Sequence, residues 1–178
     1  MKHKISIFYS WIIRLLTSFL PNIPIFMRFR GFLYSFFMKK CGKNFQVTSS
    51  VIINSLSGLS VGDNVYIAHF TVLIGKCISI EDDVLIGPNC VISSGNHTRI
   101  GNSFRFGQSV EQDILIKSGS WIAGNCTVLA GSVLPEGSVL AAGAVLNSKN
   151  SIKNSIYGGT PAKRIKNIEE ISTSEDGK

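Results

Sequence analysis

Branched aliphatic residues recur at every sixth position through most of this chain. Val47 and Ile53 open the series. After a slip of two come Val61, Ile67 and Leu73, and after a slip of one come Ile80, Ile86 and Ile92. The beat then lapses until Ile116, from which Ile122, Val128, Leu134, Leu140 and Leu146 follow without error. Small or β-branched residues stand four places after many of these, among them Thr71, Cys90, Cys126 and Ala144. Six is not a helical period, and the spacing is too regular for a sandwich with variable loops. It predicts short strands joined by tight turns, three to a triangular coil. Each flat face would turn one aliphatic inward, and the coils would stack them into a continuous column. Gly62, Gly87, Ala123, Gly124, Gly131, Gly137 and Gly143 are expected in the turns. The lapse predicts a loop over about residues 93–115, expelled from the coil and carrying His97.

The leader, residues 1–42, follows a different rule. In "ISIFYSWIIRLLTSFLP" the polar residues Ser6, Ser10, Arg14 and Thr17 fall on one narrow helical stripe, and Pro21 ends the helix. In "PIFMRFRGFLYSFFMKKCG" Pro24 suits a helix start, Arg28, Gly31, Ser35 and Lys39 line one face, and Gly42 suits a stop. Neither offers the roughly 20 uninterrupted apolar residues of a membrane span. Arg14 breaks the run, and no A-x-A site follows it, as a signal peptide would require.

Charge adds to this picture. Residues 1–43 hold eight basic residues and no acidic one, whereas the remainder, with ten basic and eleven acidic residues, is near neutral. A basic block confined to one apolar end argues against nucleic acid. Two compatible readings stay open: helices packed on the rest of the protein or a neighbouring subunit, and helices lying on an anionic membrane surface with basic residues toward headgroups. The four cysteines form no CxxC pair, so they read as buried small residues in a reducing compartment.

"SVGDNVYIAHFTVLIGK", "SIEDDVLIGPNCVISSGNH", "GSWIAGNCTVLAGSVLPEGSVLAAGAVL" and "YGGTPAKRIK" together resemble the hexapeptide-repeat acyltransferases, over residues 42–168. Within them the likeness is to the sugar O-acetyltransferases that include maltose, galactoside and cell-surface polysaccharide enzymes. The resemblance implies a mainly β fold, a left-handed parallel β-helix of hexapeptide repeats with N-terminal amphipathic helices and an extruded loop. The left hand comes from the resemblance alone, since the usual crossover preference is right-handed. The repeats would occupy residues 43–157, and residues 158–178 would carry a donor-binding motif and a polar tail. A homotrimer, acetyl-CoA as donor and no metal are also implied.

Moving an acetyl group to a sugar hydroxyl needs a base for the hydroxyl proton and donors for the oxyanion. His97 matches the family's catalytic histidine, and Glu111 and Asp113 are candidates to orient it, with Glu111 preferred. His69 and Asn96 are candidates for acceptor binding. Trp121, Ala123, Gly124, Ala141, Ala142 and Gly143 resemble residues lining the donor channel, and Lys163, Arg164 and Lys166 present cations suited to the donor's phosphates. Pro161 is expected to end the strand register.

Carbonic anhydrases on the same scaffold need three histidines on adjacent coil edges, and only His69 and His97 lie in the repeats. Serine acetyltransferases carry a long, more acidic helical leader. Serine acetylation, N-acetylation of an amino-sugar nucleotide and an inert trimeric scaffold stay as alternatives. The basic leader points the substrate toward precursors of O-antigen, capsule or exopolysaccharide, met in the cytoplasm at the inner face of the membrane.

Overall fold

A computed structural model describes residues 2–168; the polar tail beyond them lies outside the described residues. Two helices, α1 (Lys2–Thr17) and α2 (Pro24–Ser35), precede a run of short strands. The first coil is β1 (Lys40–Cys41), β2 (Gln46–Val47) and β3 (Ile52–Ile53). The second is β4 (Leu59–Val61), β5 (Tyr66–Ile67) and β6 (Val72–Ile74), and the third is β7 (Ile78–Ile80), β8 (Leu85–Ile86) and β9 (Val91–Ser93). The chain then leaves the coil as a hairpin, β10 (Gly95–His97) and β11 (Ser109–Glu111). It returns through β12 (Ile114–Ile116), β13 (Trp121–Ile122) and β14 (Thr127–Leu129), then β15 (Val133–Leu134), β16 (Val139–Leu140) and β17 (Val145–Leu146). A terminal pair, β18 (Ser155–Gly158) and β19 (Lys163–Asn167), closes the far end.

Apart from the β10–β11 hairpin and β19, each strand pairs in parallel with its counterpart one coil away, which builds three flat faces. The first is β1-β4-β7-β12-β15, the second β2-β5-β8-β13-β16-β18-β19, and the third β3-β6-β9-β14-β17. Every aliphatic of the six-residue series points inward, at 2% exposure or less. In the second face Val47, Ile67, Ile86, Ile122 and Leu140 stack in one register, and Tyr157 takes the next inward place. The slips in the beat fall at corners and leave that register intact. The short 3₁₀ turn Leu56–Gly58 absorbs the extra two residues, and Val61, Ile80 and Ile116 still pair in line.

The turns differ from expectation in one respect. Gly131, Gly137 and Gly143 adopt the left-handed backbone, but in the earlier coils Asn44, Asn64, Asp83, Asn89, Asn125 and Phe70 hold it. Asn and Asp tolerate that region because their short side chains bond locally. Gly62 and Gly87 are needed for a different reason: a Cβ would lie 2.2 Å from Asp82 Oδ1 and 2.9 Å from the Ala123 carbonyl carbon. Close stacking of coils fixes those two.

The helices are oriented by the open edge of the first coil. A terminal coil has no neighbour to satisfy its backbone groups, and these must find other partners. Ser10 Oγ donates to the Ile53 carbonyl (2.6 Å), while Ser6 Oγ accepts from the Leu56 and Ser57 amides (2.8 and 3.3 Å). The polar stripe of α1 therefore turns inward, with Ser6, Ser10 and Thr17 all buried.

On α2 the buried residues are Met27, Arg30, Gly31 and Tyr34, so Gly31 alone of the expected face is covered. The apolar pattern runs on to Met38, but α2 ends at Ser35 so that Lys40 and Cys41 can pair with Ser60 and Val61. Arg30 is fully buried. Its guanidinium donates to the carbonyls of Thr17, Leu20 and Val47, to Thr17 Oγ1 and to Asn22 Oδ1.

Burial pushes the Tyr34 phenol up to about 12, above the usual value near 10. A proton held more tightly in the folded state stabilises it fully below the unfolded pKa, and that stability is lost as pH rises through the folded one. Denaturant midpoints are thus expected to fall between about pH 10 and 12 by an amount worth about 2–3 kcal/mol. Tyr34→Phe should flatten that segment of the profile.

Candidate active site

The hairpin β10–β11 springs from the corner between the third and first faces. It pairs Gly95 with Glu111, Asn96 with Val110 and His97 with Ser109. Asn96 and His97 are exposed, and among the described residues the His97 ring has no hydrogen-bond partner. Glu111 does not reach it. Its carboxylate accepts from Ser94 Oγ (2.5 Å) and from the Lys76 amide (3.1 Å), which ties the hairpin root to the preceding corner. The register explains this, because Glu111 sits two pairs closer to the coil than His97 does. Asp113 is exposed beside that root. A cavity of about 670 Å³ runs along the same corner, lined by Gln112, Asp113, Ala130, Gly131, Ser148 and Lys149 among others.

The corner between the second and third faces carries the other candidates. Trp121 stands on the outside of β13, about half exposed, between Leu85 and Val139. Down the corner itself, Asn89 donates to the His69 carbonyl, Asn125 to that of Pro88 and Gly143 to that of Gly124. The Gly124 and Ala142 amides take no part in this ladder. Ala123 and Ala141, by contrast, are used up by stacking. Their amides donate to Leu140 and Tyr157, and their carbonyls accept from the Cys126 and Cys90 thiols in the order Ala141 from Cys126 and Ala123 from Cys90, each 3.1 Å. Those two buried cysteines are core packing, as their spacing suggested. A Cβ placed on Gly143 would meet nothing within 4 Å. The outer side of this corner is therefore open, with unengaged amides at Gly124 and Ala142, and such a strip fits an extended amide-bearing chain such as a pantetheine arm.

His69 lies farther down the same corner, half-buried, with Nδ1 3.3 Å from Ser50 Oγ. Next to it is a cavity of about 340 Å³ lined by Trp11, Arg14, Leu15, Ser18, Ser49 and Ser50. The sequence did not single out Ser49 and Ser50. Their signal was position alone, since they occupy the corner one coil before His69. Arg14 and Trp11 come from α1 and carried no such signal.

At the far end the parallel strand register stops at Gly158, and Pro161 lies in the turn that follows. The chain turns over Gly159–Ala162 and returns as β19, antiparallel to β18, because the last coil offers β18 no further parallel partner. All three expected cations are exposed on β19. Arg164 is engaged by Ser155 Oγ and Asn167 Oδ1, whereas Lys163 and Lys166 make no ion pair among the described residues. No group of three or more His, Cys, Asp or Glu comes together there either.

The structure thus divides the candidates between two corners. His97, Asn96 and Glu111 belong to the corner between the third and first faces. Trp121, Gly124, Ala142, Gly143 and His69 belong to the corner between the second and third. The width of the third face separates them.

Several solved structures share this path. A hexapeptide-repeat containing acetyltransferase from Vibrio cholerae O1 biovar eltor, complexed with acetyl coenzyme A, superposes with a TM-score of 0.80 at 21% identity over 94% of this chain and 89% of that one. A maltose O-acetyltransferase from Clostridium difficile 630 gives 0.80 at 23% identity, over 94% and 89%. A galactoside acetyltransferase in complex with coenzyme A gives 0.81 at 21%, over 94% and 82%. The chain has the hexapeptide-repeat acetyltransferase fold. A coil of opposite hand would not superpose to this degree, so the chain winds in the same sense as these structures. No family model and no curated protein matches the sequence.

Proposed function

We propose that this protein is an acetyl-CoA-dependent O-acetyltransferase acting on a sugar hydroxyl, and that it works as a homotrimer. One observation carries the reading: the hairpin histidine and the open donor corner lie at opposite edges of one face. A second copy, set beside the first, would bring its hairpin to that corner. Rotational symmetry would then repeat the arrangement as a closed ring of identical sites.

In such a site His97 takes the proton from the sugar hydroxyl as its oxygen attacks the thioester carbonyl. With no hydrogen-bond partner among the described residues, its ring is available for that contact. Backbone amides facing the cleft hold the developing oxyanion. The C–S bond then breaks, the acetyl group stays on the sugar oxygen, and the departing thiolate takes up the proton that His97 holds. Lys163 and Lys166 meet the donor's phosphates. His69, whose ring meets Ser50 Oγ, is assigned with Asn96 to the acceptor. Glu111 acts at one remove as a positioning residue that fixes the hairpin root. The basic leader supports an acceptor from the cell-surface polysaccharides, supplied by the reactions that assemble O-antigen, capsule or exopolysaccharide units.

The test is thiol release from acetyl-CoA across a panel of free sugars, nucleotide sugars, polysaccharide fragments and serine, with each product identified by mass. An ester on a sugar hydroxyl is the expected product. An amide on an amino sugar would replace this reading with N-acetylation, and no release with any acceptor would leave the scaffold alternative standing.

A further inference from the structure

The cap on the first coil is built inside out. Solenoid ends are ordinarily covered by elements whose outer face is polar. Here the open edge of the coil draws the serine stripe of α1 inward, so the apolar remainder faces out. More than half of the exposed large hydrophobics among the described residues lie before Met38. They include Phe8 (61%), Trp11 (49%), Leu15 (56%), Phe19 (78%), Phe29 (47%) and Phe32 (58%). Exposed large apolar side chains gathered on two neighbouring helices mark an interaction face.

The charges around it indicate the occupant. Lys39, Lys40 and Lys43 are exposed at the start of the first coil, and Arg28 reaches back to Asn44 there. Arg14 lines the cavity against Ser49 and Ser50. The apolar helix surface is therefore bordered by cations where the cap meets the coil, and residues 1–43 offer no acidic residue. A second copy of this face would oppose like charges, and the rest of the chain is close to neutral. An anionic bilayer complements both features at once: acyl chains for the aromatic surface and headgroups for the cationic border. Neither helix is long and apolar enough to cross a membrane.

We propose that the outer surface of α1 and α2 docks on an anionic phospholipid bilayer, with its aromatic side chains inserted and Arg28, Lys39, Lys40 and Lys43 at headgroup level. This stands independently of acetyl transfer, and its test reads binding, not turnover. The full-length protein is floated with vesicles of phosphatidylcholine, alone or mixed with phosphatidylglycerol. Flotation with the mixed vesicles is expected, falling at high salt. The variant Phe8→Gln/Leu15→Gln/Phe29→Gln/Phe32→Gln should bind at least about tenfold more weakly, with unchanged circular dichroism and oligomeric mass. Lys39→Gln/Lys40→Gln/Lys43→Gln removes no apolar contact and should lose the preference for phosphatidylglycerol. Wild-type protein that stays out of the mixed vesicles would overturn the proposal, as would apolar variants that float equally well. A drop in oligomeric mass with flotation unchanged would also overturn it, and would assign the face to a second copy.

Discussion

His97→Ala is expected to lower acetyl transfer by about 10²–10⁴-fold, the usual contribution of a positioned general base. The same substitution should leave the fold untouched. His97 is exposed near the root of a hairpin outside the solenoid and has no hydrogen-bond partner among the described residues. Exposed changes of this kind usually fall within about 0.5 kcal/mol. Loss of turnover with an unchanged denaturant midpoint therefore separates a chemical role from a structural one. Turnover within a few-fold of wild type would remove His97 from the base role. Glu111→Gln should behave differently. It keeps an oxygen for Ser94 and the Lys76 amide, so it should cost less than His97→Ala.

The largest effect on stability is expected at Arg30. Its guanidinium gathers three carbonyls, a hydroxyl and an amide oxygen with no carboxylate among them. Two of those carbonyls, Thr17 and Leu20, stand at the end of α1, where backbone acceptors lack helical partners and a cation is favourable. Arg30→Met fills much of the same volume but leaves buried acceptors unsatisfied, each costing about 1–3 kcal/mol. A loss of about 3–5 kcal/mol is expected, read as a lower denaturant midpoint and faster proteolysis within residues 18–36. A change below about 1 kcal/mol would mean that water satisfies those carbonyls without the guanidinium.

These residues show what the sequence could and could not convey. The inward series from Val47 to Leu146 was legible because one rule governs every coil: an aliphatic each sixth residue, or the stack loses its core. Extra residues at Leu56–Gly58 and in the hairpin did not obscure it, since they fall at corners. The left-handed turn positions were less legible, because Asn, Asp and even Phe70 occupy them and only some are glycine. The helices could be read as amphipathic, but periodicity has no sign. Which face turns in was decided by the Ile53 carbonyl and the Leu56 and Ser57 amides, groups that no pattern of side chains reveals. Glu111 illustrates a similar limit. It was a candidate to orient His97, but the pairing of His97 with Ser109 leaves its carboxylate at Ser94. The cavity at Arg14, Ser49 and Ser50 joins segments that share no motif.

The reading of a site shared between two copies is tested most directly by mixing inactive chains. His97→Ala removes the proposed base, and Ala142→Trp fills the corner proposed for the donor from an exposed position. Each variant alone should be nearly inactive with the acceptor that supports thiol release. When they are co-assembled in equal amounts, a ring of sites between neighbours pairs an intact hairpin with an intact corner at about a quarter of its positions. Recovery of about a quarter of wild-type thiol release is the predicted result. A mixture no more active than its separate components would contradict the account.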